Sequence, residues 1–392
     1  MAPSVPAIHR HARKGGGLFA RPVREGAEAF PPMDPRLCED DGRDGARVSV
    51  HCAPSLSQAL NAVAERAPEG HRFLRHAWYA AALQAYGGNA RTLVVEAAGI
   101  PVTALPFVAK GPRWLGVAEI PGCYWPFRSF PVAEAASATA ADALLGALAR
   151  QVRALRIGPV QDGDPALDWL MAAARAKGWT LLDRHIGDSF ELDLGALAAA
   201  QWPSGATLRK NRYFEKQIAR LGRLDWQWGP PPFDELADVE RRSWIGTRTD
   251  GSDAKFTADG HGAFWRAAAR DPALAAMFEA AVLRIDGRAM AFAFRLTSGA
   301  RSHVIANSYD PAIARHSPGR LLAYRDFARG LARGVTNIDW GAGDSGYKQA
   351  LGARRGAALR DWILVRPGPS ALVAQLLAAR WRRSGQPAGG QA

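Results

Sequence analysis

The sequence predicts a mixed α/β protein made of two similar halves, each a mixed sheet flanked by helices. Three observations carry this expectation. Each half opens on helix signals, runs through antiparallel hairpins and closes strand–helix–strand. The hairpins are punctuated by Gly99, Asp286-Gly287 and Ser298-Gly299, residue types that tight turns favour. Finally, 48% of the 392 residues are hydrophobic and 22% charged, a globular composition in a chain long enough for more than one domain.

The elements follow in order. In the first half, 46–185, Pro54-Ser55 signals a helix carrying Leu56, Ala59, Leu60 and Val63, with Ser55 as its cap. A second helix is expected over 75–86. Strands over 92–96 and 102–108 form a hairpin about Gly99, and 113–118 is a third strand. A helix over 139–155 aligns Leu144, Leu145, Leu148, Val152 and Leu155 on one stripe. A strand at 157–160, a helix at 165–177 ended by Gly178 and a strand at 179–183 close the half. The second half, 186–366, repeats the plan. It has a strand at 190–194, helices at 207–221, 233–244 and 264–269, and strands at 280–285, 289–296 and 302–308. A helix at 318–333 and a strand at 337–341 follow, so the pattern reads as a tandem duplication of one α/β domain.

The ends are unlike the middle. Residues 1–45 begin basic (Arg10, Arg13, Lys14, Arg21, Arg24), turn acidic from Glu25 to Asp44, and lack the apolar run of a secretory signal. They read as a disordered tail. Residues 367–392 read as a helix, with Leu372, Leu376 and Ala379 before Arg380, Arg382 and Arg383, and then an unstructured tail. That helix suits either packing on the domain or an anionic membrane surface.

Composition narrows the function. No run approaches the roughly 18–20 apolar residues of a membrane span. Cys38, Cys52 and Cys123 form no CxxC pair, which fits a reducing cytoplasm. The nine histidines show no ligand spacing, so no metal is expected. The net charge of +13 fits an arginine-rich proteome, an anionic ligand, a nucleic acid or an anionic membrane.

The most informative join runs from Tyr309-Asp310-Pro311 to Leu322. Ser317 stands at a helix N-cap, Pro318 at the first helical position, and Gly319 permits close approach to the backbone. A helix start has unpartnered N–H groups and the positive end of the dipole, so a strand feeding it makes a pyrophosphate site. Arg315 and Arg320 flank it with fixed charge. Local sequence leaves two readings open, a closed cap or a ligand cradle.

The segment His316-Ser317-Pro318-Gly319-Arg320-Leu321-Leu322, followed by Asp339-Trp340-Gly341-Ala342-Gly343-Asp344 and Tyr347-Lys348, resembles a GNAT family signature. It is similar to the C-terminal pattern of the CelD-type, FemAB-like acetyltransferases. Leu208-Arg209-Lys210-Asn211-Arg212 resembles the family's basic helix, Glu240 with Ser243-Trp244 its acidic–Ser–Trp motif, and Asp286-Gly287 its hairpin. The detailed match covers roughly 190–365. Only Gly319 matches a glycine of the full GNAT phosphate loop. The resemblance implies tandem GNAT-like (FemAB-like) acyltransferase domains with acyl-CoA, usually acetyl-CoA, as donor to the second domain. It implies donor contacts at Tyr309, Arg315, Ser317, Gly319, Arg320 and Leu321. A small-molecule or polysaccharide-precursor acceptor in envelope or exopolysaccharide biosynthesis is the implied partner.

Acyl transfer needs a held carbonyl, a base for the nucleophile's proton and donors for the oxyanion. In GNAT-like sites the donor lies where two parallel strands splay, here those ending near Tyr309 and Gly341. Asp339 and Asp344 are therefore expected as base or acceptor anchor, and Tyr347 and Lys348 as proton donor or charge stabiliser. Capping of the glycine loop competes for Asp339, and an ion pair competes for Lys348. Gly343-Asp344-Ser345-Gly346 and Gly187-Asp188-Ser189 superficially resemble hydrolase nucleophile motifs, but their contexts lack the partners such nucleophiles need.

Acceptor or polyanion contacts are expected at Arg209 and Arg212, part of a stripe with Lys216, Arg220 and Arg223 on one helix face. Trp244 and the aromatic segment with Tyr124 and Trp125 are further candidates, the segment reading equally as a buried plug. FemAB-like resemblance also implies a rival donor, aminoacyl-tRNA, and DNA is not expected as a partner. A different class of rival is a non-catalytic binding protein that keeps the fold.

Overall fold

The computed structural model describes residues 47–123, 127–246, 254–343 and 346–384. The tail expected over 1–45 lies outside them. The first half comprises β1 (Val48–Ala53), α1 (Ala59–Ala64), α2 (His76–Tyr86), β2 (Ala90–Ala97), β3 (Ile100–Ala109) and β4 (Val117–Glu119). It continues through α3 (Ala138–Gln151), β5 (Ala154–Gln161), α4 (Pro165–Ala176) and β6 (Thr180–Asp193). The second half has α5 (Leu194–Ala199), α6 (Gly205–Ile218), β7 (Leu224–Gly229), α7 (Phe233–Arg242), α8 (Gly262–Ala268) and α9 (Pro272–Ala275). There follow β8 (Phe278–Ile285), β9 (Arg288–Ser298), β10 (Arg301–Tyr309), α10 (Pro318–Ala332), β11 (Asn337–Ala342), α11 (Tyr347–Ala350), β12 (Arg354–Val365) and α12 (Pro369–Ser384).

Turn chemistry fixes the hairpins as expected. Ala98 and Gly99 both have positive φ (52° and 76°), as do Asp286 and Gly287 (49° and 81°), the combination that matches the twist of paired strands. The helix starts of α3, α4 and α9 are capped by Ser137, Asp164 and Asp271. Ser55 does not cap α1. Instead Ser57 Oγ accepts from the Ala59 N–H at 3.2 Å.

The strands form one sheet in the order β1-β2-β3-β4-β5-β12-β6-β11-β10-β9-β8-β7. The order is palindromic. Counted from either edge, five strands of one half are followed by the last strand of the other. Each half contains a parallel pair at the same place: β4 with β5 from Val117↔Ala154 to Glu119↔Arg156, and β10 with β11 from Arg301↔Asn337 to His303↔Asp339. The duplication read from the sequence is therefore a pseudo-twofold arrangement in which β6 and β12 are exchanged. The strands expected at 179–183 and 190–194 are one strand, β6, so the 185/186 division between halves falls inside it. Strands β1, β7 and β12 were not expected. The segment 113–118 divides into a 3-10 turn, Arg113–Leu115, and the short β4.

The halves share one core. Trp78 of α2 meets Phe264 and Trp265 of α8 edge-on, with centroids 4.8 and 5.8 Å apart, and apolar residues of both halves form one continuous cluster. Where β5, β12 and β6 adjoin, Asp361 is buried and accepts from Arg156 Nη2 (2.8 Å) and from Arg184 Nε (2.9 Å) and Nη2 (2.5 Å). Two guanidiniums from the first half thus close on one carboxylate from the second. Removing that carboxylate strands buried positive charge. Asp361→Ala is expected to destabilise the protein by roughly 3–5 kcal/mol, with both halves melting together in a single transition by circular dichroism.

Candidate active site

The two halves differ where their parallel strands separate. In the first half β4 stops at Glu119 and the chain fills the gap beside β3. Thr103 bridges Val132, the Ala133 N–H donates to Val102 O (2.8 Å), and the Arg128 N–H donates to Pro159 O (2.9 Å). Phe127 and Phe130 are buried there. In the second half β10 and β11 pair only as far as His303↔Asp339, then continue unpaired with each other to Tyr309 and Ala342. A bulge between Val304 and Ala306 marks the departure of β10. That wedge has no counterpart plug among the described residues.

The helices at these wedges differ in the same sense. Ser137 closes the start of α3 by accepting from the Ala140 N–H (3.2 Å). Ser317, in the equivalent place before α10, is left-handed (φ 52°, ψ 47°), and its side chain makes no cap hydrogen bond. The expected Ser317 cap is thus present in position and absent in bonding. Its carbonyl accepts from the Leu321 N–H (3.1 Å), and Pro318 has no N–H, so Gly319 and Arg320 carry the amides that the helix itself does not use. A Cβ on Gly319 would sit 3.5 Å from the Tyr309 ring, so the ring lies directly against the helix start. Arg315 is exposed and donates from Nε to His316 Nε2 (3.1 Å). The Arg320 guanidinium lies 5.5 Å from the Tyr324 ring centroid. The Leu321 side chain is buried in the core, so the expected donor contact there is restricted to backbone.

Of the four expected catalysts, Asp339 and Lys348 are enclosed by the protein. Asp339 is fully buried. Its Oδ2 accepts from Gln161 Nε2 (2.6 Å) and pairs with His303 Nδ1 (3.0 Å), and its Oδ1 accepts from the Gly341 N–H (3.0 Å). Burial works to raise this carboxyl, but His303, Arg301 and the Gly341 N–H outweigh it and hold it below its ordinary value. A carboxylate so enclosed holds the glycine turn rather than reaching a substrate. Lys348 is also buried, with Nζ donating to the carbonyls of Trp340 (2.7 Å), Gly341 (3.0 Å) and Ala342 (3.2 Å). It ties down the end of β11. Tyr347 remains part-exposed, its ring edge-on to Trp340 at 5.5 Å. Asp344 lies outside the described residues.

A cleft of about 790 Å³ opens on the other flank of the β11 end, lined by His185, Asp188, Phe190, Ala342, Gly343 and Gln349 among others. Here His185 Nε2 meets Asp188 Oδ1 at 3.0 Å, and Arg355 pairs with the other oxygen of Asp188. Partial burial works to raise the Asp188 carboxyl, while His185 and Arg355 hold it below its ordinary range. With Nε2–H donated to Asp188, His185 Nδ1 carries the ring's lone pair. Little in the local sequence signals this pair. Residues three apart on a strand face opposite ways, and only the register shift at Ile186, where Gly187 faces Leu359 but His185 faces Arg360, brings them together.

The cationic face of α6 is real. Arg209, Arg212 and Lys216 are exposed, and no acidic side chain among the described residues pairs with them. Helix α6 packs beside the 311–316 turn and α10, on the approach to the wedge. Trp244 is exposed, while Glu240 is buried and ties the following loop by accepting from the Lys255 (2.7 Å) and Phe256 (2.8 Å) N–H groups. Cys123 and Phe127 are buried, in keeping with a plug. Tyr124 and Trp125 lie outside the described residues. Among the described residues no group of three His, Cys, Asp or Glu is arranged to hold a metal.

The separating ends of β10 and β11 and the uncapped start of α10 lie together in one segment of the second half. Residues 206–349 match the family model of the acetyltransferase (GNAT) domain. The two halves together have the tandem GNAT, FemAB-like fold. It superposes on FemX with a TM-score of 0.54 at 13% identity, covering 82% of this chain and 98% of that one. A domain described as the C-terminal part of a lysylphosphatidylglycerol synthetase from Agrobacterium fabrum gives 0.49 at 16% identity, covering 82% and 95%. A tandem GNAT protein from the clavulanic acid biosynthesis pathway gives 0.44 at 15%, covering 82% and 100%. No curated protein matches the chain.

Two substitutions test the reassigned roles. Lys348→Met leaves three carbonyls unsatisfied and is expected to cost about 2 kcal/mol of stability, read by urea unfolding. For Asp339 the sign follows from its lowered titration. Its contribution is present above the ordinary carboxylate range and is lost as pH falls through the lower folded value. The stability difference between wild type and Asp339→Asn should therefore be largest near neutrality and shrink below about pH 4, measured by unfolding across pH.

Proposed function

We propose that the protein transfers an acyl group from acyl-CoA, in the simplest case acetyl-CoA, to an amine or hydroxyl acceptor, with the donor held by the second half. One observation carries this reading. Of two pseudo-equivalent helix starts, α3 is capped by its own serine beside a gap that the chain fills, and α10 is uncapped beside strands that no longer pair. The Gly319 and Arg320 amides supply hydrogen bonds to the donor's phosphates, and Arg315 and Arg320 supply charge. The acyl end enters the wedge between β10 and β11.

The acceptor comes from the opposite flank of β11, through the cleft holding His185. His185 Nδ1 takes the proton as the acceptor nitrogen or oxygen bonds to the acyl carbon, and the thiolate leaves. Asp188 holds the imidazole in the required tautomer and stabilises its protonated form. The CelD-type resemblance supports a polysaccharide precursor or related small molecule as acceptor, in envelope or exopolysaccharide biosynthesis in the cytoplasm. The acid-free cationic face of α6 favours a second reading, aminoacyl-tRNA as donor.

Thermal melts separate the two donors. Acetyl-CoA at mid-micromolar concentration should raise Tm in the wild type and not in Arg315→Ala/Arg320→Ala. Stabilisation by tRNA alone, lost in Arg209→Ala/Arg212→Ala, would transfer the reading to the second donor, and a melt unmoved by either ligand would leave a binding protein without this chemistry. In the turnover assay His185→Gln should lower kcat by about 10²-fold or more, while donor binding is unchanged. A variant with near-normal kcat rules out His185 as base.

A further inference from the structure

We propose that α12 and the turn at 113–115 form a docking surface for an anionic lipid bilayer, independently of the reaction. The helix is amphipathic in the unusual sense. Its half-buried face, Ala371, Ala374, Ala378 and Trp381, is mostly small, and it lies on β6, where the Arg184 guanidinium stacks 4.1 Å from the Trp381 ring centroid. The large apolar residues Leu372, Val373, Leu376 and Leu377 point to solvent, Leu376 at 84% exposure. A helix that buries alanines and displays leucines has been anchored for something other than packing on its own domain.

A second element adds to the same surface. Trp114, 73% exposed, and Leu115 project from the 3-10 turn between β3 and β4. Arg153 joins the two. Its Nη1 donates to Trp114 O (3.0 Å), and its carbonyl accepts from the Arg366 N–H (3.0 Å), three residues before α12 begins. An exposed indole and an exposed leucine stripe, tied through Arg153, are side chains that partition into the headgroup–acyl boundary.

Charge selects the occupant. Arg153, Arg380 and Arg383 are exposed, and no acidic side chain among the described residues pairs with them. Arg382 lies 3.8 Å from Asp183, and Lys110 is paired with Glu119. The apolar stripe is therefore rimmed by net positive charge, which an anionic bilayer complements while it also takes up the leucines. No helix among the described residues is long and apolar enough to cross a membrane, so the contact is peripheral.

The test is flotation of the full chain with vesicles of equimolar phosphatidylglycerol and phosphatidylcholine, against phosphatidylcholine alone. Binding is expected only to the anionic vesicles and should weaken as salt rises. Leu376→Ser/Leu377→Ser should lower the partition coefficient about tenfold or more, and Arg380→Gln/Arg383→Gln should lower it several-fold. Both variants change exposed side chains, so an unchanged Tm confirms that each remains folded. Absence of flotation with anionic vesicles, or variants that float as wild type, overturns the proposal. So does a concentration-dependent dimer in sedimentation velocity that Leu376→Ser/Leu377→Ser abolishes, since a second copy would then be the occupant.

Discussion

The exchange of β6 and β12 is the constraint on which the rest of the structure depends. Each strand completes the sheet of the half that did not encode it, and the two pair with each other at the centre. Neither half can therefore bury its edge alone. The Asp361 cluster adds a charge argument to the hydrogen-bond one, because its two buried or half-buried arginines and its carboxylate come from different halves. A second polar bridge runs from Arg301 and Asp339 in the second half to Gln161 in the first. Sheet, core and buried polar groups all couple the halves, so the fold behaves as one unit despite its duplicated plan.

Duplication within one unit lets the halves specialise. The first keeps the strand geometry of a donor site but fills it with its own chain and closes its helix with Ser137. In the second the strands part beyond His303 and Asp339, and Ser317 takes a left-handed backbone conformation in which its side chain caps no helix amide. The difference is small in sequence, a serine before a helix in both cases. It is large in consequence, because an uncapped helix start beside separated strands presents free amides and the positive end of the dipole together.

Much of the fold was legible because local chemistry dictated it. Asp286-Gly287 and Ala98-Gly99 fixed two hairpins, and leucines at helical spacing fixed α3. What was missed has physical reasons. The strand β12 carries Arg360 and Asp361 in its middle, so its apolar pattern is broken by residues whose partners lie on distant strands. The strand β6 was divided in two because His185 to Ser189 looks like a polar break, when those residues line a cleft. β7 is the exception, since its alternation, with Leu224, Trp226 and Trp228 on the inner face, is legible in the sequence. Within the site, the helix start was legible and glycine-loop capping by Asp339 was one of the two readings left open, whereas the burial of Asp339 and the carbonyl contacts of Lys348 were not foreseen. Their burial is set by β5, β6 and the β11 backbone, and no local motif reports it.

Asp339 and Lys348 both fix the end of β11. Both groups converge on the Trp340–Gly343 segment, one through the Gly341 N–H and the other through three carbonyls. Gly341 and Gly343 have φ of 73° and 75°, conformations that an unsupported chain would readily leave. Charged side chains fixed in hydrogen bonds on either side make this turn rigid. Its two flanks, the wedge toward β10 and the cleft toward β6, are then held in constant relation. A donor on one flank and an acceptor on the other would meet past the end of β11 at Ala342, where no strand separates them. The motif residues hold that strand end, and His185, the base proposed above, lies on the strand beside it.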